Sequence, residues 1–435
     1  MALSTIPRRF TSPQSAFFSG SGIEFRVEIA LGVGGPSIAL WGPDAQEGLW
    51  DEGLWSDTEG PGTLYWVDVT GRALSVNTSQ GRDRFESRFR TGSATFLLDN
   101  DDGVFSPDGG LVGDVKFRPG RWIRLIGRLA GSDGEFVPLW TGYISSIKDE
   151  YGPAGSSIRS RITAADHLGN FASDDPPALT TPIPVELSSD RVNTILDLAG
   201  WPDEARLSDV GLYDVQSSDL AQSRLEEIQL TAESEGGAFY VTKAGFTYFR
   251  NRDYLLSPRS SIPQFSIGQV GAGVQVLSAT SDWSTQRVYN DVTFARSGGN
   301  AIRLQDEQSI NMYQRRTSGR NNLQNTDDGD VAFLAQRFLD NFRYDKLRVE
   351  QLTVTAVNDS GAEDLLGLEL ADRVQVTVRN LQGWAFTIDT WINRITWRIT
   401  ADDWEADLTV DNVSIADPLN RSGFTEDGFD EGFGI

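Results

Sequence analysis

The chain has 435 residues, 39% of them hydrophobic and 12 of them Trp, enough to fill two or three domain cores rather than stay disordered. Its 38 Lys and Arg against 62 Asp and Glu leave a formal charge of −24, which disfavours wrapping nucleic acid through phosphate contacts, does not exclude DNA passing through a wide acidic channel, and on composition alone reads as keeping an abundant protein soluble. Cysteine is absent and His167 is the only histidine, which rules out disulfides, thiolate chemistry, multi-His metal centres and HExxH sites.

Residues 1–22 are rich in Ser, Pro and Gly, lack the apolar run of a secretory leader, and read as an arm that orders against a partner. No stretch approaches the ~18 consecutive apolar residues of a bilayer span, so no membrane anchor is expected. Phe25, Val27 and Ile29 alternate with Arg26, Glu28 and Ala30, which predicts a first strand. The excursion at 41–62 sets Trp41, Trp50 and Trp55 among Gly, Pro and acids, a composition that sustains neither ladder nor helix. From Thr63 successive strands follow: residues 65–69, a strand ending at Leu98, residues 118–129 after a Pro-Gly turn, residues 138–147, and a strand with Ile158 and Ile162 on one face. Strands so spaced, bounded by Gly and Pro, argue for a barrel or sandwich.

A Pro-rich break at 173–190 changes the texture. Asp190 is placed to cap a short helix stopped by Gly200 and Pro202. Ser217 or Ser218 is placed to cap a second, which carries Leu220, Leu225, Ile228 and Ala232 and ends at Gly236 and Gly237. A hairpin turning at 243–245 comes next. From Trp283 a second strand-rich region begins, interrupted by one helix. There Val331, Leu334, Ala335, Phe338, Leu339 and Phe342 fall at i, i+3, i+4, i+7, i+8 and i+11, with Asp327, Asp328 and Asp330 as caps. Closing strands follow, with Ile395, Trp397 and Ile399 and then Ala406, Leu408 and Val410 alternating. The two strand-rich regions share an order: an extended apolar strand, a strand with an internal kink, and a strand returning by a hairpin. Periodicity leaves duplication and convergence both open.

Three patterns bear on chemistry. Asp99, Asp101 and Gly103 have partial calcium-loop spacing, but the twelfth position is Gly110 where a bidentate Glu is needed, so the segment reads as a hairpin turn. Acid pairs could serve a glycosidase, but no motif fixes a nucleophile or an acid/base pair, and His167 lacks a GxSxG elbow and reads as a turn or packing residue. No catalytic site, cofactor or metal is therefore expected. Trp41, Trp50, Trp55, Phe424, Phe429 and Phe433 sit on Gly-rich acidic segments that cannot bury them all. They are candidate interface anchors, the alternative being that they fold back on their own domain.

The segment GRDRFESRFRTGSATFLLDNDDGVFSP at 81–107 joins an Arg-rich lead-in to an alternating strand and a tight acidic turn. This combination resembles the N-terminal region of minor tail proteins of long-tailed phages, especially of actinobacteria, which form the tail-tip hub. The Trp-Gly string before it, RPGRWIRL and LWTGYISSI after it, ITAADHLGNFA, RVNTILDLAGWP, the hairpin, RVYNDVTF, DEQSINMYQRR and the final strands are similar to the family's segments in the same order. The resemblance implies a mainly β fold with a few helices, akin to the baseplate hub of contractile phages and the spike-bearing hub of type VI secretion. Two antiparallel β-barrels, at 23–175 and 283–412, would be linked by a small helical and hairpin region at 176–282, with an arm at 1–22 and a tail at 413–435. It further implies a homotrimer whose six barrels match a six-fold tail tube, located at the virion tail tip and made in the host cytoplasm. Expected partners are the distal-tail adaptor ring, the tape-measure C-terminus in the lumen, and fibre or receptor-binding proteins, with DNA passing through and no specific nucleic-acid binding. Set against that family, the short string after residue 413 stands where some hubs carry a long lysin or fibre extension, so built-in cell-wall hydrolysis is not expected. A distal-tail adaptor, or a tail-borne protein that binds or cleaves carbohydrate, is the alternative.

Overall fold

The computed structural model describes residues 22–31, 65–106, 117–153, 157–174, 178–268, 271, 273–379, 382–400 and 403–413. Strand β1 (Ile23–Leu31) turns Ile23, Phe25, Val27 and Ile29 into the core, the period-two pattern visible in the sequence. It is followed by β2 (Tyr65–Asp68), β3 (Ala73–Gly81), β4 (Arg90–Asp99), β5 (Trp122–Leu129), β6 (Val137–Tyr151) and β7 (Ile158–Ala165). These seven pair antiparallel in the spatial order β3-β4-β7-β6-β5-β1-β2. Beyond β2 the contact with β1 continues into the turn that leads to β3. Val69 N donates to Val27 O, and Val27 N to Thr70 Oγ1, both at 2.9 Å.

A compact insert follows: α1 (His167–Ser173), β8 (Glu186–Leu187), α2 (Ser188–Leu198), β9 (Arg206–Ser208), β10 (Asp214–Val215), α3 (Arg224–Glu235), β11 (Ala238–Val241), β12 (Thr247–Arg250) and α4 (Pro258–Ser261). Asp190 lies in the first turn of α2, where it complements the helix dipole, and does not cap it. The cap of α3 is Ser223, whose hydroxyl accepts from Glu226 N, rather than Ser217 or Ser218. Leu220 is buried at a φ of +53°, which no helix tolerates, so the helix can begin only beyond it. Gly236 closes α3 in the left-handed conformation at φ +73°. β11 and β12 form the expected hairpin, with Thr242 N donating to Phe246 O.

The rest of the chain forms β13 (Ser266–Ile267), β14 (Val274–Trp283), β15 (Asp291–Arg296), β16 (Ile302–Gln305), α5 (Glu307–Tyr313), β17 (Thr317–Leu323), α6 (Asp328–Phe342), β18 (Leu347–Ala356), α7 (Asp359–Gly367), β19 (Arg373–Arg379), β20 (Ala385–Thr400) and β21 (Trp404–Asn412). Six of these strands close a barrel in the order β19-β13-β14-β18-β21-β20, completed by the β19–β20 pairing. Trp283 faces Leu347 at the end of the β14–β18 ladder, and the chain between them folds as a separate sheet, β16-β15-β17. Helix α6 covers that sheet with Val331, Leu334, Ala335 and Leu339, the stripe read from the sequence, and Asp327 caps it.

Both barrels repeat one strand order. β3-β4-β7-β6-β5 in the first corresponds to β14-β18-β21-β20-β19 in the second. The long strand of each, 15 residues in β6 and 16 in β20, carries a bulge at the same place in the order, between Ile144 and Ser146 and between Ile392 and Arg394. The sixth position differs. The nine-residue β1 is antiparallel to β5, whereas β13 has two residues and runs parallel to both neighbours. The fold is thus mainly β with a few helices and two hub-type barrels, as the resemblance implied, with β13 the parallel exception to the expected antiparallel strands.

Candidate functional site: the joint between the barrels

Antiparallel pairing of β3 with β20, from Gly81 opposite Arg394 to Ser75 opposite Thr400, fuses the barrels into one 13-stranded sheet. The two share a core as well. Phe25 of β1 sets its ring edge-on to Trp397 and Trp404, with centroids 6.0 and 5.8 Å away. At the end of this seam Gly81 takes a φ of +130°, and a Cβ there would lie 2.1 Å from Asn393 O. Only glycine lets the two strands pass so closely.

Residues 82–89, the Arg-rich lead-in, leave this crossing and tie four parts of the chain together. Arg82 donates from its backbone N to Asn393 O (2.9 Å), from Nε to Asn393 Oδ1 (3.0 Å) and from Nη2 to the Tyr254 hydroxyl (3.1 Å). Phe85 N donates to Asp411 Oδ2 at 2.8 Å. Arg287, on the strand-to-sheet connection after β14, reaches Asp411 Oδ1 and Glu86 Oε2, each at 2.6 Å. Asn393 Nδ2 adds a bond to Asp411 Oδ2 at 3.0 Å. Burial alone would pull the Arg287 guanidinium down, but the Asp411 and Glu86 carboxylates hold it above its usual value. Beside it Arg348 is fully buried, with no hydrogen-bond partner among the described residues, and burial and the Arg287 charge hold it below its usual value.

The same segment walls a cleft between the end of α3, the face of α6 and the β15–β17 sheet. Four arginines (82, 88, 320 and 337) and two glutamates (86 and 233) line it, together with phenylalanine rings including Phe89 and Phe338. Arg88 and Arg320 approach Glu233 at 2.6 and 3.4 Å, while Arg337 donates to Arg252 O. Burial lowers Arg337, and it lowers Arg320 against the opposing Glu233 charge, with the Arg88 and Arg82 charges adding to the lowering.

Other residues singled out in the sequence lie elsewhere. His167 begins α1, buried between Trp122 and Trp201 at centroid distances of 4.3 and 4.5 Å. Neither ring nitrogen has a partner among the described residues, and burial brings its pKa down to about 3, so it stays neutral as a packing residue. Asp166 caps α1 through Leu168 N and also accepts from Gly92 N at 2.8 Å, and burial pushes its carboxyl up to about 7. The acidic turn is tied by its own groups: Asp101 Oδ1 accepts from Ile158 N at 2.7 Å, Asp102 receives both arms of Arg72, and Asn100 Oδ1 accepts from Phe105 N. Gly110, the twelfth position of the calcium pattern, lies outside the described residues. Among the described residues no group of three or more His, Asp or Glu is placed to hold a metal. Trp41, Trp50, Trp55, Phe424, Phe429 and Phe433 all lie outside the described residues. Sequence reasoning marked the lead-in as a motif but missed its task. Its signal was the interleaving of Arg82, Arg84, Arg88 and Arg90 with Phe85 and Phe89, a pattern fit for a packed, charge-paired joint.

Two solved structures share this arrangement over almost their whole length. The tail protein from Neisseria meningitidis MC58 superposes with a TM-score of 0.55 and 16% identity, over 79% of this chain and 97% of that one. The 43 kDa tail protein of prophage MuSo2 from Shewanella oneidensis gives 0.53 and 12%, over 90% and 99%. The fold is that of phage tail proteins. A type VI secretion component from Escherichia coli also aligns, with a TM-score of 0.46 and 10% identity over 78% of this chain and 73% of that one. No family model and no curated protein sequence matches the chain.

Proposed function

We propose that this chain is a structural, non-enzymatic hub at the tail tip of a long-tailed phage, working as a homotrimer. One observation carries this reading: a single chain holds two barrels of the same strand order, locked side by side by the β3–β20 seam. Three such chains present six alike units, which is what a three-fold tip needs to seat on a six-fold tube. The work is mechanical: join the tube to the tip, hold the lumen for tape-measure and DNA release, and change packing when fibre or receptor-binding proteins engage. The distal-tail ring would meet the six-fold face, and Trp41, Trp50 and Trp55 would anchor neighbouring subunits. The test is the rotational symmetry of the assembled particle, with the solution mass of the purified chain beside it. Three copies per particle support the hub. Six copies around the bore would make it the distal-tail adaptor instead, and release of reducing ends from host polysaccharide would make it an enzyme.

A further inference from the structure

The cleft beside the joint runs against the charge of the molecule. The chain carries a net −24, yet arginines outnumber acids four to two along this lining, and Glu86 is already paired with Arg287. Arg82 and Arg337 donate there to the neutral oxygens of Asn393, Tyr254 and Arg252. A cationic cleft with aromatic walls calls for a ligand that is both anionic and aromatic. Residues 423–433, GFTEDGFDEGF, hold Glu426, Asp427, Asp430 and Glu431 with Phe424, Phe429 and Phe433, and no basic residue.

Connectivity favours the same segment. The chain beyond Val413 leaves from β21, whose Asp411 is bonded to Arg287, and the Arg287 guanidinium lies 5.9 Å from the ring of cleft residue Phe342. The nine residues 414–422 span up to about 30 Å when extended, ample for the short path from Asp411 to the cleft. We propose that residues 423–433 dock in this cleft within their own chain, carboxylates against Arg88, Arg320 and Arg337 and phenyl rings against Phe338. Docking there ties the end of the second barrel to α3 and α6, whatever the number of subunits. The effective concentration supplied by the short connection makes even a weak contact persistent.

The test uses the full chain with Phe429 replaced by the photo-reactive benzoylphenylalanine. Irradiation at high dilution is expected to give a cross-link within a single chain, mapped to the segments around 85–89, 229–238 or 334–342. Arg88→Glu should cut its yield about tenfold, as loss of a charge-assisted contact requires. Adding Glu426→Lys and Asp427→Lys to that variant should restore the yield, which also shows that the cleft still folds. Cross-links mapped elsewhere, cross-links formed only between chains, yield untouched by Arg88→Glu, or no recovery in the charge-swapped variant would each overturn the proposal.

Discussion

Gly81 and His167 sit in environments that make sharp demands on the side chain. A methyl group at Gly81 would meet Asn393 O at 2.1 Å in a backbone conformation that L side chains rarely adopt, and neither β3 nor β20 can retreat while paired. Gly81→Ala should therefore cost about 3 kcal/mol, combining backbone strain with overpacking. A urea midpoint equal to that of the parent would show that the seam is looser than the geometry requires. At His167 the argument concerns pH. Its folded pKa near 3 lies below the unfolded value of about 6.5, so as acid is added the unfolded chain takes the proton first and stability is lost between those values. Asp166, raised to about 7, acts in the opposite sense: the folded chain holds its proton, and stability falls as pH rises from about 4 to 7. The neighbours thus offset one another. His167→Leu should remove one side of the balance, making the variant gain about 2 kcal/mol on the parent between pH 7 and pH 5. Parallel stability curves across that window would mean that His167 is not held neutral.

Among elements, the lead-in at 82–89 has the largest consequences, because strands of both barrels, the insert and the β15–β17 unit all meet on it. Arg287 and Asp411 are each only 2% exposed at the side chain, and Glu86 is 15% exposed. Arg287→Ala would leave two carboxylates in low dielectric without their cation, at a cost of about 3–5 kcal/mol. A loss below about 1 kcal/mol in chemical denaturation, the range of a surface pair, would place the joint in solvent. Local pattern made much of the rest readable. The alternation of β1, the stripe and cap of α6, and the hairpin at 243–245 follow from period and turn chemistry within a short window. The start of α3 did not, because Ser217, Ser218 and Ser223 are equal as caps, and only the burial of Leu220 in tertiary structure chooses between them. Nor does a strand pattern say which sheet it joins. β14 and β15 are both strands eight residues apart, yet one pairs with β18 in the barrel and the other with β16 and β17. The Arg-Phe string was visible as a motif, while its partners Asn393 and Asp411 lie more than 300 residues away.

For the whole molecule, the pairing pattern limits how copies of the proposed hub can meet. The second barrel is closed, and the β3 flank of the first is already occupied by β20, so among the described residues the 13-stranded sheet ends at β2. Around a trimer the barrel contacts would alternate, three made by the covalently continuous β3–β20 seam and three made between chains. The half of β20 that extends past β19 is already taken up by β3, so the contacts between chains are expected to be made by side chains. They must also form against charge, since each chain carries −24 and like-charged copies repel over roughly a Debye length, ~10 Å at 0.1 M salt. Added salt screens that repulsion, whereas it would weaken an interface built from cross-chain ion pairs. In mass photometry the fraction at three times the 47.8 kDa chain mass should therefore rise with sodium chloride, while amide exchange in β3 and β20 stays equally slow in monomer and trimer. Dissociation on adding salt would mean that ion pairs hold the subunits together. Seam amides that become protected only on assembly would mean that the two barrels are joined by the oligomer rather than by the chain, and the pairing of two like units in one subunit would lose its physical basis.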